Sequence, residues 1–169
     1  MHLFASLRRY YAAPLIISLA LLPTFALAGT STGNFKVTLT IQAECKLNST
    51  TDIAFGTSGV IQAALTANGT LGVQCTNTTP YNIGLSAGAG SGATVTNRVM
   101  TAGTGSTIGY SLYRDTAFTQ VWGDVVASNT LAATGSGAVQ TYTVYGRVPA
   151  QTTPAAGNYS DTVQVTVTY

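Results

Sequence analysis

Phe35-Lys36-Val37-Thr38-Leu39-Thr40-Ile41-Gln42-Ala43-Glu44 alternates apolar and polar side chains without a break. Successive side chains of an extended chain point to opposite faces, so Phe35, Val37, Leu39, Ile41 and Ala43 share one face. That face is as apolar as a core strand, yet it follows Gly29-Thr30-Ser31-Thr32-Gly33, which has no capacity to fold by itself. Two readings fit. The stretch is either the first strand of a sheet with a loose terminus, or a donor strand that completes the open sheet edge of a neighbouring molecule. Periodicity alone does not separate them.

Outward from this stretch, the chain keeps writing strands. Leu71, Val73 and Cys75 alternate after a turn-like Asn68-Gly69. Tyr81, Ile83, Leu85 and Ala87 form a second run, closed by a Gly/Ser/Ala loop at 88–94. Ile108, Tyr110 and Leu112 make another, Val139 to Pro149 a longer one. The clearest is Val163, Val165, Val167 and Tyr169, set against Thr162, Gln164, Thr166 and Thr168. Thr, Val, Tyr and Ile suit pleated, half-buried surfaces, and Gly, Asn, Ser and Pro separate the runs. No sustained 3.6-residue period follows residue 28. Six or seven antiparallel strands in one domain predict an all-β, immunoglobulin-like sandwich.

The N-terminus reads differently. Arg8 and Arg9 precede the apolar run Ala12 to Leu22, and Pro23 leads to Phe25-Ala26-Leu27-Ala28, a small-x-small pattern. Basic start, short apolar middle and small-residue end make a secretory signal peptide over 1–28 rather than a membrane span of ~20 residues. This sets domain boundaries at 1–28 for export, 29–44 for leader and alternating strand, and 45–169 for the sandwich. Cleavage after Ala28 leaves 141 of the 169 residues. Lys36, Lys46, Arg98, Arg114 and Arg147 then balance Glu44, Asp52, Asp115, Asp124 and Asp161, and His2 is gone. The mature chain is neutral and has no histidine.

That composition excludes several chemistries. Ser and Cys nucleophiles usually need a histidine base, and zinc sites need His or more than two Cys. Gly29-Thr30-Ser31-Thr32-Gly33 matches the G-x-S-x-G pattern but lacks the strand, helix and downstream His of a nucleophile elbow. Gly88-Ala89-Gly90-Ser91-Gly92 lacks the Gly-Lys-Ser/Thr of a phosphate cradle and reads as a loop. Asp115, Asp124 and Asp161 lie beside turn-forming residues, where Asp bonds local backbone. Five scattered acids give no catalytic pair, so no enzyme, cofactor or metal is expected. With only 7% charged residues, nucleic-acid binding is not expected either. Trp122 reads as core. The N-x-S/T matches at Asn48, Asn68, Asn77 and Asn158 carry little weight in so Asn/Thr-rich a chain.

Cys45 and Cys75 are the only cysteines. In an exported chain an oxidising compartment favours their pairing over an intermolecular or redox-active arrangement.

From Gly33 to Tyr169 the sequence resembles the spore coat protein U domain family, which includes Csu-type subunits of archaic chaperone–usher pili. The resemblance is carried by Gly33-x-Phe35-x-Val37-x-Leu39-x-Ile41 leading to Cys45, Ile53-x-Phe55-Gly56, Gly69-x-Leu71-x-Val73-x-Cys75, and Arg98-x-Met100. It continues through Tyr110-x-Leu112-Tyr113-Arg114-Asp115, Val121-Trp122-Gly123, Val144-Tyr145-Gly146-Arg147-Val148-Pro149, Pro154-x-x-Gly157-x-Tyr159-x-Asp161 and Val165-x-Val167-x-Tyr169. It implies an incomplete, pilin-type sandwich with an N-terminal donor strand. A periplasmic chaperone would fill the open groove first. At the outer-membrane usher the next subunit's N-terminal strand would replace it, with Phe35, Val37, Leu39 and Ile41 at the donor positions. Such a chain passes through the periplasm into a surface pilus serving adhesion and biofilm formation, or is secreted. Two other functions remain open at this stage: a self-complete coat protein, and a small exported carbohydrate-binding module or hydrolase.

Overall fold

The structure, a computed structural model, describes residues 27–169. The export segment expected over 1–28 therefore lies almost entirely outside the described residues. The chain divides into two units at Leu39/Thr40. In the first, residues 27–39 carry no regular structure and are exposed.

The second unit is all strand and loop. It contains β1 (Cys45–Thr50), β2 (Leu65–Cys75), β3 (Pro80–Leu85), β4 (Arg98–Thr101), β5 (Thr107–Tyr113), β6 (Leu131–Thr134), β7 (Val139–Val148) and β8 (Val165–Thr168). They form two antiparallel sheets, ordered β1-β2-β7-β5-β4 and β6-β3-β8. The long β2–β7 ladder runs from Leu65 opposite Val148 to Gln74 opposite Val139. It defines two ends of the molecule: a Cys45–Cys75 end and an Ile61 end, where Gln151 N–H donates to the Ile61 carbonyl.

The alternating runs pack as period-2 reading requires. Leu71, Val73, Cys75, Tyr81, Ile83, Leu85, Tyr110, Leu112, Val144 and Val148 are buried between the sheets, with Trp122 fully enclosed among them. The Trp122 indole N–H donates to the Ile83 carbonyl at 2.8 Å, so its polar atom is satisfied within the core.

The alternating stretch 35–44 forms no strand here, and the first strand of the described sandwich is β1, whose residues beyond Cys45 are exposed. Two expectations change. The supposed turn Asn68-Gly69 is the middle of β2. A Cβ at Gly69 would lie 2.6 Å from the Thr51 carbonyl oxygen and 2.8 Å from Ile53, so glycine marks a close chain crossing there rather than a reversal. Finally, the described strands number eight, because the short β4 and β6 have no alternation long enough to read.

Candidate functional site

Thr51 N–H still donates to the Thr70 carbonyl of β2 at 2.9 Å, and beyond it the chain leaves the β1–β2 ladder and runs through 52–57 with no strand. On the opposite side, 154–164 leads into β8 with one isolated bridge, Ser160 to Thr101. β8 itself is bonded only to β3, which leaves its other edge open. Between these two segments lies a groove made of two joined cavities of about 510 and 750 Å³, which share Ile53, Phe55, Met100 and Tyr159.

Its floor is the inner face of the larger sheet. Leu71, Leu112 and Val144 line one half, and Leu65, Ile108 and Val148 the other. Ile53 and Phe55 form one wall and Val163 and Val165 the other, and all four are only half-buried. Room for the first wall comes from Gly146 on β7, where a Cβ would stand 2.9 Å from Ile53 and 3.0 Å from Phe55. Large apolar side chains left half-covered along a free strand edge combine two aggregation liabilities, an open edge and an uncovered apolar patch.

Polar contacts fix the walls. The Tyr110 hydroxyl donates to Asp161 Oδ2 at 2.7 Å, and Asp161 Oδ1 accepts from the backbone N–H of Ala89 and of Thr162 at 2.7 and 2.8 Å. Burial, then the bond to Asp161, pushes the Tyr110 phenol well above its ordinary pKa, so it remains a donor. At the far end Ile61 N–H donates to Thr153 Oγ1 at 2.8 Å.

Arg98 is fully buried, and none of its hydrogen bonds goes to a carboxylate. Its guanidinium instead donates to four backbone carbonyls: Ser86, Val95, Leu85 and Trp122, at 2.7–3.0 Å. Desolvation lowers its pKa. The charge ties β4 to the end of β3 and to the Trp122 loop, a role that sequence reading gave it no way to claim beyond a family motif.

Of the sequence-selected residues, Cys45 and Cys75 form a disulfide. Phe35, Val37, Leu39 and Ile41 are 88, 82, 83 and 69% exposed. Asp115, Asp124 and Asp161 do not gather: among the described residues no three His, Cys, Asp or Glu side chains form a metal-type cluster. Asp115 organises its own turn, accepting from the Thr119 and Gln120 amides and the Thr119 hydroxyl. Among the described residues no strand or helix adjoins Gly29–Gly33, and 88–92 is a loop. The groove walls were missed. Ile53, Phe55 and Tyr159 stood in motifs without a role, and the available signal was Ile53-x-Phe55, a two-position alternation too short to read as a strand.

A two-sheet immunoglobulin-like sandwich with this groove is a pilin-type domain. Residues 31–166 match the model of the Spore Coat Protein U domain, and the chain belongs to that family. No curated protein matches the sequence. The chain is similar to one in the crystal structure of the CsuC–CsuE chaperone–tip adhesion subunit pre-assembly complex, from the archaic chaperone–usher Csu pili of Acinetobacter baumannii. The match has 26% identity and a TM-score of 0.56, covering 77% of this chain and 40% of that one. This chain thus spans about two fifths of the length of its structural neighbour.

Proposed function

We propose that this protein is a structural subunit of a chaperone–usher pilus, polymerised by donor-strand exchange. Its residues 35–41 fill the groove of the next copy or of another subunit. One observation carries the reading: the exposed set and the groove match in length and chemistry. Phe35 to Ile41 is six residue steps, about 20 Å extended, with four apolar side chains on one face. The groove floor along β2 runs from Leu65 to Leu71, the same six-residue rise. Burying four such side chains contributes ~6–12 kcal/mol before ordering costs, and ladder bonds to the free β8 edge add to it.

Strand polarity follows from the two ends. Segment 154–168 runs from the Ile61 end toward the Cys45–Cys75 end. A donor antiparallel to it brings Ile41 out at the Ile61 end, where its own domain begins. Each subunit's arm leaves from its Cys45–Cys75 end, so one copy's Ile61 end meets the next copy's Cys45–Cys75 end. That contact is heterologous and builds an open fibre. A parallel donor would require one end to serve both neighbours. The neutral mature chain avoids summed self-repulsion along such a fibre.

Passage through the periplasm with a chaperone, delivery by an outer-membrane usher, and a place on the cell surface in adhesion and biofilm formation belong to the same proposal. They rest on the family and on the similarity to a subunit found in complex with its pilus chaperone. No catalytic role enters it. The deciding experiment removes residues 29–43. The shortened chain is expected to fold with its chaperone and to yield no fibres in electron micrographs. If it loses its own fold instead, the sandwich is self-complete and the pilin reading fails.

A further inference from the structure

The joint between donor arm and domain contains no free chain. The Gln42 carbonyl accepts from the Thr76 hydroxyl at 3.0 Å, that hydroxyl accepts from Glu44 N–H at 3.1 Å, and Thr76 N–H donates to the Glu44 carbonyl at 2.9 Å. Cys45, the next residue, is bonded to Cys75, the neighbour of Thr76. The chain is therefore fastened to its own domain from Gln42 onward, directly after the last donor position, Ile41. Flexible tethers need several untied residues; here the step from Ile41 to Gln42 is one peptide unit, about 3.8 Å between Cα atoms.

We infer that residues 42–44, held by Thr76, are a rigid coupler: neighbouring subunits meet body to body at a set angle, and Thr76 is the positioning residue of the joint. This rests on the donor-strand reading above. The surfaces brought together suit direct contact. At the Ile61 end, 56–60 (Gly-Thr-Ser-Gly-Val) and 154–158 (Pro-Ala-Ala-Gly-Asn) are small and uncharged, with Val60 71% exposed. At the Cys45–Cys75 end, Asn77, Thr78, Ser136 and Gly137 are uncharged, while Glu44 and Lys46 pair with each other at 3.2 Å. Nothing there repels a close neighbour, and Val60 gains cover.

The test uses fibres assembled from the full chain by its chaperone and usher, with bending persistence length measured in electron micrographs. Thr76→Val keeps the shape and removes the hydroxyl. It is expected to give fibres in normal amount whose persistence length falls several-fold, with Thr76→Ser restoring stiffness. A second variant leaves Thr76 and the domain intact: two glycines inserted between Ile41 and Gln42 are expected to soften the fibre similarly, and they decide the matter if Thr76→Val folds poorly. Unchanged stiffness with the glycine insertion overturns the coupler. Absence of fibres from the unaltered chain is a different result, and it overturns the donor-strand reading itself.

Discussion

Val163, Val165 and Val167 alternate with Thr and Gln as regularly as Phe35, Val37, Leu39 and Ile41 alternate with Lys and Thr. The first set is half-buried against the core, with Val165 opposite Leu85 and Val167 opposite Ile83 in the ladder to β3. The second is 69–88% exposed and forms no ladder. Alternation specifies a face that can be buried; burial needs a partner strand, and only β8 has one within the chain. The half-covered condition of β8 makes the same point from the other side, since its open edge lacks what 35–41 could supply.

The largest effects come from destroying each face in turn. Changing Val163, Val165 and Val167 together to Ser removes apolar burial worth ~1.5–3 kcal/mol per side chain, against a total stability of about 5–15 kcal/mol for an ordinary domain. The domain is expected not to fold, as circular dichroism would report. Changing Phe35, Val37, Leu39 and Ile41 to Ser is expected to leave the melting temperature of the unassembled domain unchanged and to abolish fibres. A comparable loss of melting temperature from the N-terminal changes would show that 35–41 serves its own domain, and the contrast would collapse.

Arg98 probes how the buried region copes with a charge that the exposed region never has to bury. Arg98→Met strands four carbonyls in the core and is expected to cost about 3–5 kcal/mol, read as a lowered denaturation midpoint at unchanged slope. Slightly smaller is the disulfide. It closes a loop with a sequence separation of 30, and replacing both cysteines by Ser is expected to cost about 3–4 kcal/mol on the chain-entropy model. Because Cys45 is the first residue after the coupler, fraying of β1 is expected to accompany the loss, visible as faster amide exchange at Lys46 and Leu47.

How legible all this was depends on length and context. β2, β3, β5, β7 and β8 announce themselves because alternate apolar residues recur three or more times at period 2. β1 does not: Lys46, Asn48 and Thr50 face solvent, Leu47 is 42% exposed, and the strand bulges between Leu47 and Ser49. β4 and β6 have four residues each, fewer than a pattern needs. The donor candidates were readable as a face, while the groove was not, since it is built by tertiary juxtaposition. Ile53 and Phe55 line the groove opposite Val163 and Val165, and Gly69 and Gly146 let the 51–57 segment lie close on the larger sheet. Thr76 was silent for the same reason, one threonine among many until its three bonds are seen.

The smallest effect tests the polar fastening of the groove wall. Tyr110→Phe removes the hydroxyl bonded to Asp161 while keeping the ring, at an expected cost of about 1 kcal/mol near neutral pH. The pH dependence has a definite sign. Burial and the Asp161 bond raise the folded-state pKa of Tyr110, so the folded protein holds that proton more tightly than the unfolded chain. The resulting stability is fully present below the unfolded value of about 10 and is lost as pH rises beyond it. Tyr81 is raised likewise, by burial and then its 2.6 Å hydroxyl contact with Tyr142. Tyr110→Phe is therefore expected to shallow the alkaline fall in melting temperature without abolishing it, and Tyr81→Phe added to it to flatten the curve further. An alkaline limb unchanged by Tyr110→Phe would show that the Tyr110–Asp161 bond is not formed in the unassembled domain, making this wall of the groove, like 35–41, a feature ordered only by a partner.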